Sequence, residues 1–185
     1  MLGLRSLTAF LHLLQPVARL RGRLEHGLTP WRRRGAVGLA FPRPRAFRLW
    51  TERWQAAEDR LRGVEKAVQA TGGVVRCGGG YDPWDLEVRG GLLGAGRLIM
   101  AVEEHGGGRQ LVRLRAWPTC SPAALVLSLG LGALCAGAAT QGAWAASLVL
   151  GASALLSFAR TSLECARAMG TLLRALGTLG VGRLP

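Results

Sequence analysis

The chain predicts an α+β fold: one long helix packed on a small antiparallel sheet of about four strands, followed by a two-helix transmembrane hairpin. Three observations predict it. Thr119–Ala159 contains no Asp, Glu, Lys, Arg or His. Upstream, short segments alternate apolar and polar residues between glycine clusters, which is the signature of half-buried strands. Ahead of those, Phe47, Trp50, Trp54, Ala57, Leu61, Val64 and Val68 recur at three- and four-residue steps, as one face of a helix does.

The chain divides into four parts in order. Residues 1–45 are an arginine-rich juxtamembrane segment. Within it, residues 1–24 form an amphipathic helix with Leu4, Leu7, Leu11, Leu14 and Ala18 on one side. Its charge-free run is too short to span, and no small-x-small cleavage site follows it, so an interfacial helix is expected. Pro16 kinks it or starts a second segment. The connector Gly27–Pro44 carries Trp31 beside Arg32, Arg33 and Arg34. An amphipathic ring next to cations suits the headgroup layer.

Residues 46–118 form the α+β module. The helix is expected over Ala46–Thr71, with Glu58 and Arg62 paired at i,i+4 on its solvent side and Gly72-Gly73 ending it. Four strands are expected around Val74–Cys77, Trp84–Arg89, Leu98–Glu103 and Val112–Ala116. Glycine turns separate them, among them Gly90-Gly91-Leu92-Leu93-Gly94-Ala95-Gly96, read as hairpin material. The Phe47–Val68 stripe supplies cover for one sheet face. At about 75 residues this core is marginal and leans on a membrane or a partner.

Residues 119–159 form the hairpin. Two blocks, Pro122–Ala139 and Ala143–Ala159, flank the polar turn Thr140-Gln141-Gly142. Each is just long enough to cross a hydrocarbon core of roughly 30 Å. Gly132 and Ala136, then Ser147 and Gly151, make small-xxx-small patterns that allow close helix approach. Trp117 and Trp144 fall near the two interfaces. Arg113 and Arg115 precede the hairpin, Arg160 and Arg167 follow it, and its turn is uncharged. The positive-inside rule therefore puts both termini and the module on the cytoplasmic side of the cell membrane. Residues 160–185 continue as an amphipathic helix with a polar stripe of Arg160, Glu164, Arg167, Thr171, Arg174 and Thr178, then a glycine-rich tail.

The net charge is +13 over 185 residues, and Lys66 is the only lysine. The basic runs carry no nucleic-acid fold signature, so the expected partner is the lipid bilayer and not nucleic acid. Cys77, Cys120, Cys135 and Cys165 form no CxxC and have no histidines at metal spacing; they are expected to be unpaired. The sequence calls for no cofactor, metal or catalytic residue. Its one candidate acid–base cluster is Glu103, Glu104 and His105, with Asp82, Asp85 and Glu87 one hairpin away. Consecutive strand residues point to opposite faces, so Glu103 and Glu104 are not expected to converge. The glycine-rich turns lack the GKS/T of a phosphate loop.

Two blocks carry a resemblance. One is Trp84-Asp85-Leu86-Glu87-Val88-Arg89-Gly90-Gly91-Leu92-Leu93-Gly94, with Met100-Ala101-Val102-Glu103-Glu104-His105-Gly106 and Arg109-Gln110-Leu111-Val112-Arg113 after it. The other is the opening, Leu11–Leu20 and Gly27–Arg32. Together they resemble the C-terminal, membrane-associated part of bacterial family 2 glycosyltransferases, in which a nucleotide-sugar-binding domain comes first. The resemblance implies a separated or truncated tail with a glycosyltransferase catalytic domain as partner. The family's Asp-x-Asp and Gln-x-x-Arg-Trp motifs do not occur: Asp82 and Asp85 are three apart, and Gln15–Arg19 is a four-residue step without Trp. No catalytic residue carries over. The alternative is a free-standing membrane-anchored module that binds another cytoplasmic protein.

Overall fold

A computed structural model describes residues 38–181. The N-terminal amphipathic segment and the interfacial candidates Trp31, Arg32, Arg33 and Arg34 lie outside the described residues. The fold is α+β. Five strands and three helices follow in the order β1 (Arg45–Thr51), α1 (Ala57–Ala70), β2 (Val74–Cys77), β3 (Leu86–Arg89), β4 (Gly94–Glu104), β5 (Gln110–Cys120), α2 (Pro122–Thr140) and α3 (Trp144–Thr178). The sheet order is β1-β5-β4-β3-β2, with every pair antiparallel. Strands β2 to β5 form a meander, and α1 carries the chain from β1 at one edge to β2 at the other.

The fifth strand corrects the expected helix. Arg45–Thr51 is extended and pairs along its length with β5, from Arg45 opposite Ala116 to Thr51 opposite Gln110. Only Ala57–Ala70 is helical. Phe47, Leu49 and Thr51 also obey a two-residue alternation, and Phe47 and Leu49 pack against the core from the sheet. The helical stripe had counted Trp50 and Trp54 as apolar contacts. Both are at least half exposed. Local spacing fits either reading here; the free edge of β5 decides it, because a strand there satisfies a row of backbone groups.

The sheet's cover also differs. Val64 and Val68 of α1 reach the core, but the larger share comes from the far half of α3: Met169, Leu172, Ala175 and Leu176. These oppose Leu86 and Val88 of β3, Leu98 of β4, and Val112, Leu114 and Ala116 of β5. The second apolar block and the C-terminal amphipathic segment are thus one uninterrupted helix of 35 residues. Two residues of its expected polar stripe, Glu164 and Thr171, are buried.

Helices α2 and α3 are each long and apolar enough to cross a membrane. Ser121 caps α2 by accepting a hydrogen bond from the Ala124 amide, and Pro122 occupies the first turn, where a missing N–H costs nothing. The turn places Gly142 at φ 74°, the left-handed region glycine tolerates best. Inside the hairpin, Ser147 and Gly151 face Cys135: Ser147 Oγ donates to the Cys135 carbonyl at 3.1 Å, and Cys135 Sγ donates to the Ser147 carbonyl at 3.2 Å. The expected role of Gly132 in that seam is corrected. A methyl there would meet nothing within 4 Å, so it looks away from α3.

Candidate functional site

The chemically distinctive region is the junction where α3 leaves the hairpin and enters the core. Glu164 lies there, 4% exposed. Its Oε2 accepts the amides of Leu93 (2.6 Å) and Gly94 (3.0 Å), and its Oε1 accepts Arg160 Nε at 3.3 Å. Two backbone donors and a guanidinium replace the water that a buried carboxylate loses. The two backbone donors lie where the β3–β4 turn enters β4, about 70 residues earlier in the chain, so the carboxylate ties helix to sheet.

Glycines let that turn come so close. A side chain at Gly90 would overlap the Glu164 carbonyl, and one at Gly91 the Glu164 carboxylate. At Gly94 a methyl would stand 2.7 Å from the Cys165 amide nitrogen and 2.8 Å from the Thr161 carbonyl oxygen. Gly96 faces Met169 and Ala168. The Gly90–Gly96 run is therefore more than hairpin material: it is the seat on which the backbone of α3 rests. Cys165 is buried beside it, with Sγ 3.8 Å from Cys120 Sγ at the end of β5. Both thiols are free. Burial, with Cys120 next to it, pushes the Cys165 thiol up to about 12.

The acid–base candidates lie at the opposite end of the sheet, and the structure holds them apart. Glu103 pairs with Arg113 at 2.9 Å, Glu104 accepts the Trp54 indole N–H at 3.0 Å, and the His105 ring stands edge-on to Trp50 with centroids 5.1 Å apart. Asp85 is spent on the Met100 amide at 2.6 Å. Glu87 is paired with Arg97 at 2.9 Å and lies near Arg89. Trp84 covers this face, within cation–π range of Arg97 (5.1 Å) and Arg76 (5.7 Å), both of which stand opposite Glu87 in the sheet. Among the described residues no three His, Cys, Asp or Glu side chains are grouped to hold a metal.

Of the interfacial candidates, Trp117 is half-buried near the end of β5, and Trp144 opens α3, 68% exposed, at the other end of the hairpin. Arg160 is mostly exposed and reaches back to Glu164. The buried Gln110 was not singled out in the sequence, Glu87 entered only as a neighbour of the acid–base cluster, and Glu164 only as a member of a solvated stripe, where the structure buries it. The signal for Glu164 was available: it is the first acid after a long uncharged run, one turn past Arg160. Comparison with protein-family models, curated proteins and solved structures finds no match for this chain.

Proposed function

We propose that this protein is a non-catalytic module of the cell membrane, crossing it twice with both termini on the cytoplasmic side, and that it holds its α+β unit against the bilayer for a partner protein. The observation that carries this reading is the continuity of α3. Its first half presents Leu148, Val149, Leu155, Leu156 and Phe158 outward, as a lipid-facing surface would, and its second half is core. No flexible linker separates anchor from module, and Glu164 with its glycine seat fixes the junction. Arg113, Arg115, Arg160 and Arg167 at the open end of the hairpin support the cytoplasmic orientation. The separate engagement of Glu103, Glu104 and His105 supports a role in binding, not turnover.

The sequence resemblance nominates a family 2 glycosyltransferase catalytic domain as the partner. The test is affinity purification of the full chain from a mild detergent extract after chemical cross-linking in intact cells. Stoichiometric recovery of a nucleotide-sugar transferase is expected. Recovery of an unrelated cytoplasmic protein in its place would leave the anchored module standing and remove the transferase assignment.

A further inference from the structure

The outer face of the sheet, opposite the helices, carries a hollow of about 420 Å³ lined by Pro44, Pro83, Ile99, Arg115, Trp117 and Pro118. Its position follows from the register. Arg115 and Trp117 share a face of β5; Ile99 stands directly opposite Arg115 on β4; Pro44 and Pro83 rise from the segments leading to β1 and β3. The size is within the roughly 300–1,000 Å³ typical of small-ligand sites. Three of its six residues are proline, so its walls lose little freedom on binding.

Three arginines of this face, Arg48, Arg76 and Arg115, pair with no carboxylate of the described residues, and of these Arg115 lines the hollow. Arg113 is neutralised by Glu103, Arg97 by Glu87, and Arg89 also lies against Glu87. Arg115 pairs with no carboxylate of the described residues; its guanidinium instead lies 6.0 Å from the Trp117 ring centroid. A directed cation beside an amphipathic aromatic ring suits a phosphate attached to something apolar. The location supplies the source. From Trp117 the strand runs to Ser121 and then directly into α2, over no more than about 13 Å of extended chain.

We infer that this hollow is a headgroup site for an anionic phospholipid. Arg115 holds the phosphate, while Trp117, Ile99 and the prolines receive the glycerol and the start of the acyl chains. The inference rests on the membrane reading above and adds a lipid preference to it. A juxtamembrane arginine near an anionic surface contributes about 1 kcal/mol, which corresponds to roughly five-fold in lipid preference.

The test uses the full chain in bilayers of phosphatidylcholine containing a minority of phosphatidylglycerol. The protein is extracted into mild detergent, and the retained lipids are counted by native mass spectrometry. About five-fold enrichment of phosphatidylglycerol is expected for the wild type, with loss of that enrichment in Arg115→Gln and retention in Arg62→Gln, a remote helical arginine paired with Glu58 and Asp59. Equal retention of the two lipids by the wild type, or unchanged enrichment in Arg115→Gln, would overturn the site. So would displacement of the lipid by millimolar inorganic phosphate, which would mark a free-phosphate site. Carbonate extraction of the same membranes separates the two ideas. A chain that stays in the pellet without lipid preference removes the headgroup site alone, whereas a chain released into the supernatant removes the membrane reading.

Discussion

Substituting Gly94 by alanine tests the seat of α3 directly. The added methyl would stand 2.7 Å from the Cys165 amide nitrogen, 2.8 Å from the Thr161 carbonyl oxygen and 2.9 Å from Cys165 Sγ. Contact distances between heavy atoms begin near 3.5 Å, so each approach is short by roughly 0.6–0.8 Å. Two of the three atoms are helix backbone and cannot rotate away. The helix has to withdraw, and the bonds from Leu93 and Gly94 to Glu164 lengthen with it. Overpacking of this kind costs about 1–3 kcal/mol. For a chain of this size each kcal/mol moves the midpoint by about 2–4 °C. We expect Gly94→Ala to melt about 2–12 °C below the wild type, followed by tryptophan fluorescence in detergent. Gly63→Ala is the matched control: a methyl there meets nothing within 4 Å inside α1, so relief of glycine's helix penalty of about 1 kcal/mol should raise the midpoint. A Gly94→Ala protein that melts at or above the wild type would refute close backbone packing between β4 and α3.

Three further outcomes follow from particular side chains. Glu164→Ala leaves the Leu93 and Gly94 amides without an acceptor and should cost about 2–4 kcal/mol, while Glu164→Gln keeps one acceptor and should lose less than half of that; equal losses in chemical denaturation would argue against the two amide bonds. Gln110→Leu strands the Gln55 amide and Arg60, whose pKa burial lowers, and should cost about 1–3 kcal/mol, with Gln110→Glu recovering stability because it restores the acceptor; equal destabilisation by both would sink the assignment. The raised Cys165 thiol contributes stability that is fully present below about pH 9 and is lost as pH rises toward about 12, because the unfolded chain gives up its proton first. In the folded protein at pH 8, maleimide should therefore modify exposed Cys120 well before Cys165, and mass spectrometry showing the reverse order would contradict the buried thiol.

Much of the architecture could be read from residue order because the signals were redundant. Leu86 and Val88, Leu98 and Met100, and Val112 and Leu114 alternate with charged or exposed partners, and glycines bound each run. The hairpin was legible from the absence of charge over Thr119–Ala159. The segment from Arg45 to Thr51 was not, because Phe47, Trp50 and Trp54 satisfy a helical spacing while Phe47, Leu49 and Thr51 satisfy a strand's. A partner strand about sixty to seventy residues away in sequence settles the matter, and no local pattern contains it. The same holds for the junction. Glu164 looks like one member of a solvated stripe until the turn at Leu93 and Gly94 is laid over it. The glycines of that turn mark a close approach, but the surface they approach is fixed only by the tertiary fold.

Helix α3 is 35 residues long and spans about 52 Å. With its apolar half in a bilayer, it is a stiff lever whose other arm carries the sheet. A helical hairpin adjusts to a thinner or thicker membrane by changing its tilt. Where a loop joins anchor to domain, that adjustment dissipates. Here Glu164 and the glycine seat join the two arms without a loop, so on the membrane reading proposed above a change of hairpin tilt carries the sheet with it.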